Sequence, residues 1–199
     1  MKTDIILAGV GGQGILSIAA SLGAAALNEN YYLKQAETHG MSQRGGAVVS
    51  HLRIADHPIW SDLIPSGKAD LILSVEPMES LRYVSYLAPK GSVVTNTAKF
   101  ENIPNYPELD KTFDEMAQRI NIIRINADQI AKETGNPKAS NMVMLGASSP
   151  FITIHDDIII KGIETIFKAK GEKIVAMNVQ AFNAGRSFTL GYRERLGKI

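Results

Sequence analysis

Residues 5–23 read IILAGVGGQGILSIAASLG, and this stretch decides the fold. A continuous apolar run ends at Gly9, and an alanine-rich segment of helical length follows Gln13. An uninterrupted apolar run is typical of a strand buried on both faces, and glycines between a strand and a helix are typical of a tight βα turn. The stretch therefore predicts the first βα unit of a parallel sheet.

The rest of the chain continues the alternation of strands and helices. The apolar patterns predict further strands over residues 31–36, 47–54, 69–75, 91–95 and 121–125. Helical patterns fall over residues 76–87, 110–119 and 127–134, and the pattern is helical from residue 139 onward, with an amphipathic segment at 156–170 and a short last helix at 178–188. We expect an α/β fold: a Rossmann-like, mostly parallel sheet with helices on both faces and a helical C-terminal segment, forming one domain over residues 1–199.

Composition excludes several classes of function. The 21 basic and 20 acidic side chains give a formal charge of +1, so we expect no nucleic-acid partner. No apolar stretch is long enough for a membrane span, and the MKTDII start lacks the features of a secretory signal, so we expect a cytoplasmic protein. The chain has no cysteine, and thiolates hold almost all iron–sulfur clusters. Any redox metal centre is therefore expected on a partner.

The glycine cluster alone is a weak signal. Gly9, Gly11 and Gly14 fit the G-x-G-x-x-G pattern of dinucleotide sites, with Gly12 between them. Such sites also need an acid near the end of the second strand, where this chain has Lys34. Two interpretations stay open: the glycines serve only a tight turn, or they also bind an anion or another ligand.

The residues after the cluster limit the kinds of ligand that the loop is expected to bind. Ile15 and Leu16 stand where a P-loop requires Lys and Ser or Thr, so nucleotide hydrolysis is not expected. The Gln13 amide can donate and accept, which suits a polar ligand or a partner's backbone. The helix over residues 13–27 is apolar all round, so we expect a subunit contact on it besides the sheet.

A second polar loop, ETHGMSQRGG at residues 37–46, follows the second predicted strand. Because the carboxyl ends of parallel strands meet at one edge, we expect both loops to share one cleft. His39 and Ser42 do not form a nucleophile elbow, and the four histidines show no metal-ligand spacing. Arg44 suits a carboxylate or phosphate, or else an ion pair with Glu37 that orders the loop.

Four blocks of the sequence together resemble a known family. They are GVGGQGIL at 9–16, ETHGMSQRGGAVVSHLRI at 37–54, ADLILSVEPMESLRY at 69–83 and NMVMLGA at 141–147. Nearly the whole chain resembles the gamma-type domain of the 2-oxoacid:ferredoxin oxidoreductases. The resemblance points to a ligand-binding or subunit-interface cleft and no catalytic residue. The residues expected to line this cleft are Gly9, Gly11, Gly12, Gln13, Gly14, Glu37, His39, Ser42, Gln43, Arg44 and Gly45.

The resemblance implies a small subunit of an enzyme that oxidatively decarboxylates a 2-oxoacid to an acyl-coenzyme A. A large alpha subunit is then expected to hold thiamine diphosphate, magnesium and iron–sulfur clusters, with coenzyme A as co-substrate and ferredoxin as electron acceptor. The isolated chain is expected to be inactive, and it could form a homodimer. The free-standing length is most similar to members that act on indolepyruvate and other arylpyruvates.

Three alternatives stay open. The oxoacid could be pyruvate, 2-oxoisovalerate or 2-oxoglutarate. The chain could instead be a stand-alone nucleotide-binding Rossmann protein, which saturable binding of NAD or NADP would reveal. It could also be a scaffold without any ligand contact, in which case substitutions of Arg44 and Gln13 by alanine would leave turnover unchanged.

Overall fold

A computed structural model describes residues 1–39, 45–101 and 105–195 of the chain. Within these ranges, six strands form one sheet in the order β2-β3-β1-β4-β5-β6. The strands are β1 Lys2–Val10, β2 Tyr32–His39, β3 Ala47–Ala55, β4 Ala69–Ser74, β5 Leu87–Asn96 and β6 Asn121–Ile125. The β1, β4, β5 and β6 strands are mutually parallel, whereas β3 runs antiparallel to both β1 and β2. The sheet is therefore mixed, and three of its five strand pairs are parallel.

Helices follow most of the strands and form the C-terminal part of the chain. They are α1 Ile15–Asn28, α2 Pro77–Arg82, α3 Asp110–Ala117, α4 Ala127–Glu133, α5 Ser140–Ser148, α6 Asp156–Phe167 and α7 Glu172–Arg195. The predicted α/β fold class, with a mostly parallel sheet and a helical C-terminal segment, is confirmed. In the described part of the chain, no helix has the length and apolar character needed to cross a membrane.

The two faces of the sheet carry separate hydrophobic cores. On β1, Ile5 and Leu7 point to a core shared with α1 and α5–α7, while Ile6 and Ala8 point to the opposite face. This second core includes Phe113 of α3 and lies beneath α2. The alternation explains the unbroken apolar run of β1, because a strand covered on both faces has no polar side.

Two helices differ in length from the predictions. The helix predicted over 76–87 is wrong in extent, since α2 ends at Arg82 and β5 begins at Leu87 after a 3₁₀ turn. The Ser85 carbonyl there accepts hydrogen bonds from Gly67 N (3.0 Å) and Ser66 Oγ (2.8 Å), which ties this segment to the β3–β4 connection. The last helix is also longer than predicted, because α7 has 24 residues.

The α7 helix crosses α5 at very short range. A Cβ added at Gly185 would lie 1.9 Å from the Val143 carbonyl oxygen, and one at Gly146 would lie 1.8 Å from that of Phe182. The two backbones therefore touch. Glycines at the contact weaken the hydrophobic periodicity, so the sequence pattern alone underestimates the helix.

The α1 helix is covered in large part by the chain's own α6 helix, and the subunit contact expected on α1 stays a prediction. The α6 helix packs on α1 so closely that a Cβ added at Gly162 would lie 2.2 Å from the Ser21 carbonyl oxygen. Only the ends of α1 expose large apolar side chains, with Leu16 54% and Leu27 63% exposed. The chain's own helical C-terminal segment supplies most of the cover that the apolar pattern requires.

Candidate functional site

The two sequence-predicted loops lie together at one edge of the sheet. Gly9 at the end of β1 and His39 at the end of β2 both pair with Val48 of the intervening β3 strand. The Gly11 N–H also donates a 2.9 Å hydrogen bond to the Gly46 carbonyl. Ser42, Gln43 and Arg44 lie outside the described residues, and so does the Arg44–Glu37 ion pair considered above.

Backbone geometry accounts for two glycines of the first loop. Gly12 and Gly14 have φ values of 98° and 81°, which L-residues with a Cβ rarely adopt. Gly14 is the N-cap residue of α1, and its carbonyl accepts the Ser17 N–H at 3.0 Å. A Cβ on Gly14 would lie 2.5 Å from Asn141 Nδ2, which itself donates a 3.1 Å hydrogen bond to the Gly14 carbonyl. Gly45, at the end of the second loop, also has a positive φ of 82°.

The Gln13 side chain joins the glycine loop to its neighbouring strand. Its Oε1 accepts a 2.8 Å hydrogen bond from Val10 N, and its Nε2 donates a long one, 3.5 Å, to the Val75 carbonyl. Close packing supports this contact, because a Cβ on Gly9 would lie 2.4 Å from Val75 Cγ2. Gln13 therefore holds its own loop, and both arms of its amide have partners within the chain.

The polar connections continue across the same edge. Asn96, at the end of β5, donates through Nδ2 to the Val75 carbonyl (3.4 Å) and to Asp128 Oδ2 (2.7 Å). Its Oδ1 accepts the Ala127 N–H at the start of α4 (3.1 Å). The ends of β1, β4 and β5 are thus tied to each other and to α4 by side-chain amides.

A buried carboxylate lies at the end of β4 on the same edge. Glu76 is 1% exposed and caps α2 by accepting the Glu79 N–H at 2.8 Å. Its other oxygen accepts hydrogen bonds from the Tyr106 hydroxyl and from Phe100 N, the latter at 3.4 Å. Burial raises the pKa of Tyr106, and the Glu76 hydrogen bond raises it further. Glu76 thereby anchors the segment that leads towards α3.

A cleft of about 350 Å³ opens between the glycine loop and β3. The start of α1 faces it without a side-chain cap, so backbone N–H groups and the positive end of the helix dipole point to this space. Backbone and small or aliphatic side chains line the described part of the cleft, which consists of Val10, Gly11, Gly12, Gly14, Ile15, Leu16, Ser17 and Val48. This lining can bind a ligand or a partner's chain, but it offers no acid or base for proton transfer.

Strand order argues against a dinucleotide site. The ribose-binding acid of such sites ends the parallel strand next to β1. Here the neighbour of β1 on that side is the antiparallel β3, and β2 with Glu37 lies one strand further out, about 10 Å from β1. Glu37 is therefore poorly placed for that role, which disfavours the stand-alone nucleotide-binding alternative.

The described histidines and carboxylates do not converge on a metal site. Across residues 1–39, 45–101 and 105–195, no three such side chains are grouped as ligands. His51 instead accepts the Ile64 N–H through Nδ1 at 3.1 Å and stacks edge-on with Tyr86. Burial, followed by the nearby Arg53, lowers the pKa of His51 below 6.5. This imidazole is a neutral structural group.

Sequence reasoning missed Asn141, Glu76 and Asn96 as parts of this edge. Glu76 could have been found, since an acid directly after an apolar run and before Pro77 is a capping pattern. Asn96 and Asn141 carry no local signal. Their roles depend on partners distant in sequence, and Asn141 is 127 residues from Gly14.

Comparisons with known proteins agree with this architecture. Residues 4–188 match the pyruvate ferredoxin/flavodoxin oxidoreductase family. Indolepyruvate oxidoreductase subunit IorB of Archaeoglobus fulgidus is 36% identical over 197 residues, covering 93% of this chain and 94% of that protein. The subunit of the same name from Pyrococcus horikoshii is 36% identical over 192 residues, with coverage of 92% and 93%.

A solved structure shows the same fold within a longer polypeptide. The 2-oxoglutarate:ferredoxin oxidoreductase of Magnetococcus marinus, with 2-oxoglutarate, coenzyme A and succinyl-CoA bound, superposes with a TM-score of 0.78 at 22% identity. The match covers 96% of this chain but only 31% of that one. The fold of this small chain therefore also occurs as about a third of a larger chain.

Proposed function

The chain belongs to the pyruvate ferredoxin/flavodoxin oxidoreductase family, and we propose that it is the small subunit of an enzyme that oxidises indolepyruvate and related arylpyruvates. The observation that carries this proposal is the 36% identity to subunits with that substrate in their name, over more than nine tenths of both chains. The complex is proposed to act in the cytoplasm.

The proposed reaction converts a 2-oxoacid and coenzyme A to an acyl-coenzyme A and carbon dioxide, releasing a proton and two electrons that reduce ferredoxin. Thiamine diphosphate with magnesium would stabilise the carbanion, and iron–sulfur clusters would carry the electrons. The residues of this chain do not fit these groups, because the chain has no cysteine and its described side chains form no metal-ligand cluster. The large alpha subunit is therefore proposed to hold them.

The role proposed for this chain is to complete a binding surface. The sheet edge with the glycine loop and residues 37–46 would face the large subunit, where the coenzyme A or oxoacid approaches. Two observations support this role: the Gly11–Gly46 hydrogen bond joins the two loops, and the Gln13 and Asn96 amides tie the edge together. Groups that are already held by hydrogen bonds lose less conformational entropy when a partner binds.

Reconstitution tests the proposal. The chain would be co-expressed with its large subunit, and acyl-coenzyme A formation from indolepyruvate would be followed with an artificial electron acceptor. We expect activity from the complex and little from either chain alone. A large subunit that is fully active without this chain would refute the proposed role.

The same assay decides the oxoacid. We expect indolepyruvate and phenylpyruvate to be used with higher kcat/KM than pyruvate, 2-oxoisovalerate or 2-oxoglutarate. A reversed preference would keep the small-subunit assignment and replace its substrate by one of these three acids.

A further inference from the structure

The connection between β3 and β4 displays a large apolar side chain. Residues 57–63, here named the Trp60 loop, carry Trp60 with 93% of its surface exposed and Leu63 with 56% exposed. Trp60 is the most exposed of the large apolar side chains in the described part of the chain. Leaving an indole in water is unfavourable, and an exposed apolar cluster on a folded surface is typical of an interaction site.

A buried ion pair holds this loop in place. Asp4 is 1% exposed and receives two hydrogen bonds from Arg53, one from Nε (2.8 Å) and one from Nη2 (3.1 Å). The remaining Arg53 nitrogen, Nη1, donates to the carbonyls of Ser61 (3.0 Å) and Leu63 (3.2 Å). The planar Arg53 guanidinium thus connects Asp4 in the sheet to two carbonyls of the loop, which belong to the residues before and after Asp62.

The loop is also fastened where it re-enters the core. Ile64 is 2% exposed, and its N–H donates to His51 Nδ1 at 3.1 Å. A groove of about 340 Å³ runs beside Trp60 and is lined in part by Pro58 and Ile59. Trp60 is therefore presented by an ordered backbone next to a recess that could receive a partner's side chain.

Ordered, exposed tryptophans are frequent hot spots of protein interfaces, because they bury a large area and lose little conformational entropy on binding. The same fold forms about a third of a longer chain in a solved oxidoreductase. In the longer chain this fold is attached covalently to the rest of the enzyme. A free-standing chain of the same fold can be attached only through contacts of its surface. This favours another subunit of the same enzyme over a second copy of this chain as the partner.

We propose that the Trp60 loop is an anchor for the large subunit, with Trp60 entering an apolar pocket of that subunit. The proposal rests on the proposed function, since it requires a separate large subunit. The loop follows Ala55, which pairs with Lys2 at the start of β1, so it lies at the sheet edge opposite the glycine loop. The large subunit would then contact both edges.

The test uses the two-subunit complex and three variants of this chain. Trp60→Ala and Leu63→Ala remove parts of the proposed anchor, and Ile166→Ala is the control because Ile166 is an exposed apolar side chain of α6. We expect Trp60→Ala to weaken the affinity for the large subunit about 30-fold or more and Leu63→Ala about fivefold, with less than a twofold change for Ile166→Ala. The affinities would be measured by titrating labelled small subunit with large subunit.

Trp60 is the single tryptophan of this chain, which provides a direct readout. Small subunit labelled with 5-fluorotryptophan would give one ¹⁹F resonance, and we expect it to shift and lose its solvent isotope effect when unlabelled large subunit is added. This signal reports burial of the indole independently of any substitution.

The outcomes separate the two proposals. If the wild-type chains form an active complex but Trp60→Ala binds as tightly as wild type and the resonance stays unchanged, the anchor is refuted and the proposed function stands. If Trp60→Ala instead disrupts only self-association of this chain, the partner is a second copy and the anchor is again refuted. If the wild-type chains do not associate, both proposals fail.

Discussion

Replacing Gly14 by alanine is expected to cost more than the same replacement at Gly12, although both glycines have positive φ. At Gly12 an added Cβ meets nothing within 4 Å, so only backbone strain of about 1–2 kcal/mol opposes Gly12→Ala. At Gly14 the Cβ would lie 2.5 Å from Asn141 Nδ2. That amide can turn away only by giving up its hydrogen bond to the Gly14 carbonyl.

The additional cost at Gly14 can be estimated from this contact. Overpacking of a buried side chain typically costs about 1–3 kcal/mol, so Gly14→Ala is expected to lower the free energy of unfolding by about 2–5 kcal/mol in total. Asn141→Ala alone removes two hydrogen bonds, from Nδ2 to the Gly14 carbonyl and from Met142 N to Oδ1, and is expected to cost about 1–3 kcal/mol. In the double variant the overlap disappears, so its cost should fall below the sum of the single costs by about 1–3 kcal/mol.

Urea unfolding of the purified chain, followed by circular dichroism, would measure all four variants. The linear dependence of the unfolding free energy on urea gives each difference, and similar slopes would show that the unfolded states are comparable. Equal costs for Gly12→Ala and Gly14→Ala would refute the reasoning. Simple additivity of the Gly14 and Asn141 substitutions would refute it as well.

Three further substitutions test other contacts of the described structure. Gln13→Ala should lower the free energy of unfolding by about 1–3 kcal/mol, because Val10 N loses its acceptor, while Gln13→Glu keeps that acceptor and should cost less in the same urea assay. Burial lowers the pKa of His51 below 6.5 in the folded chain, so the unfolded chain binds more protons around that pH and the free energy of unfolding falls as the pH drops. His51→Gln should therefore reduce the difference between the urea midpoints measured at about pH 7.5 and about pH 5.5. An unchanged difference would contradict this. Tyr106→Phe removes the hydroxyl that donates to buried Glu76, and it should lower the melting temperature and reduce the free energy of unfolding by about 1–3 kcal/mol. A variant as stable as wild type would show that this hydrogen bond contributes nothing to stability.

The sequence predicted the elements of this fold better than their arrangement. The strand over 121–125 agrees with β6 residue for residue, and the predicted strand over 69–75 extends one residue beyond β4, because buried strands leave a clear apolar run. The predicted end of the helix over 76–87 was wrong. The Ser85 carbonyl accepts hydrogen bonds from the β3–β4 connection, and α2 has ended before this point although the hydrophobic pattern of the segment continues. The single domain over 1–199 stays a prediction, as do the roles of Ser42, Gln43 and Arg44.

The sequence by itself determined the βα turn at Gly9–Gly14, the class of the fold and the absence of cysteine ligands for a cluster. The tertiary structure decided what surrounds that turn: β3 rather than β2 beside β1, both arms of the Gln13 amide bonded within the chain, and Asn141 against Gly14. The physical reason is the distance along the chain between the residues that determine each feature. Hydrophobic periodicity and glycine spacing report whether a residue is buried or turned, whereas strand order and hydrogen-bond partners depend on segments that meet only after the chain has folded.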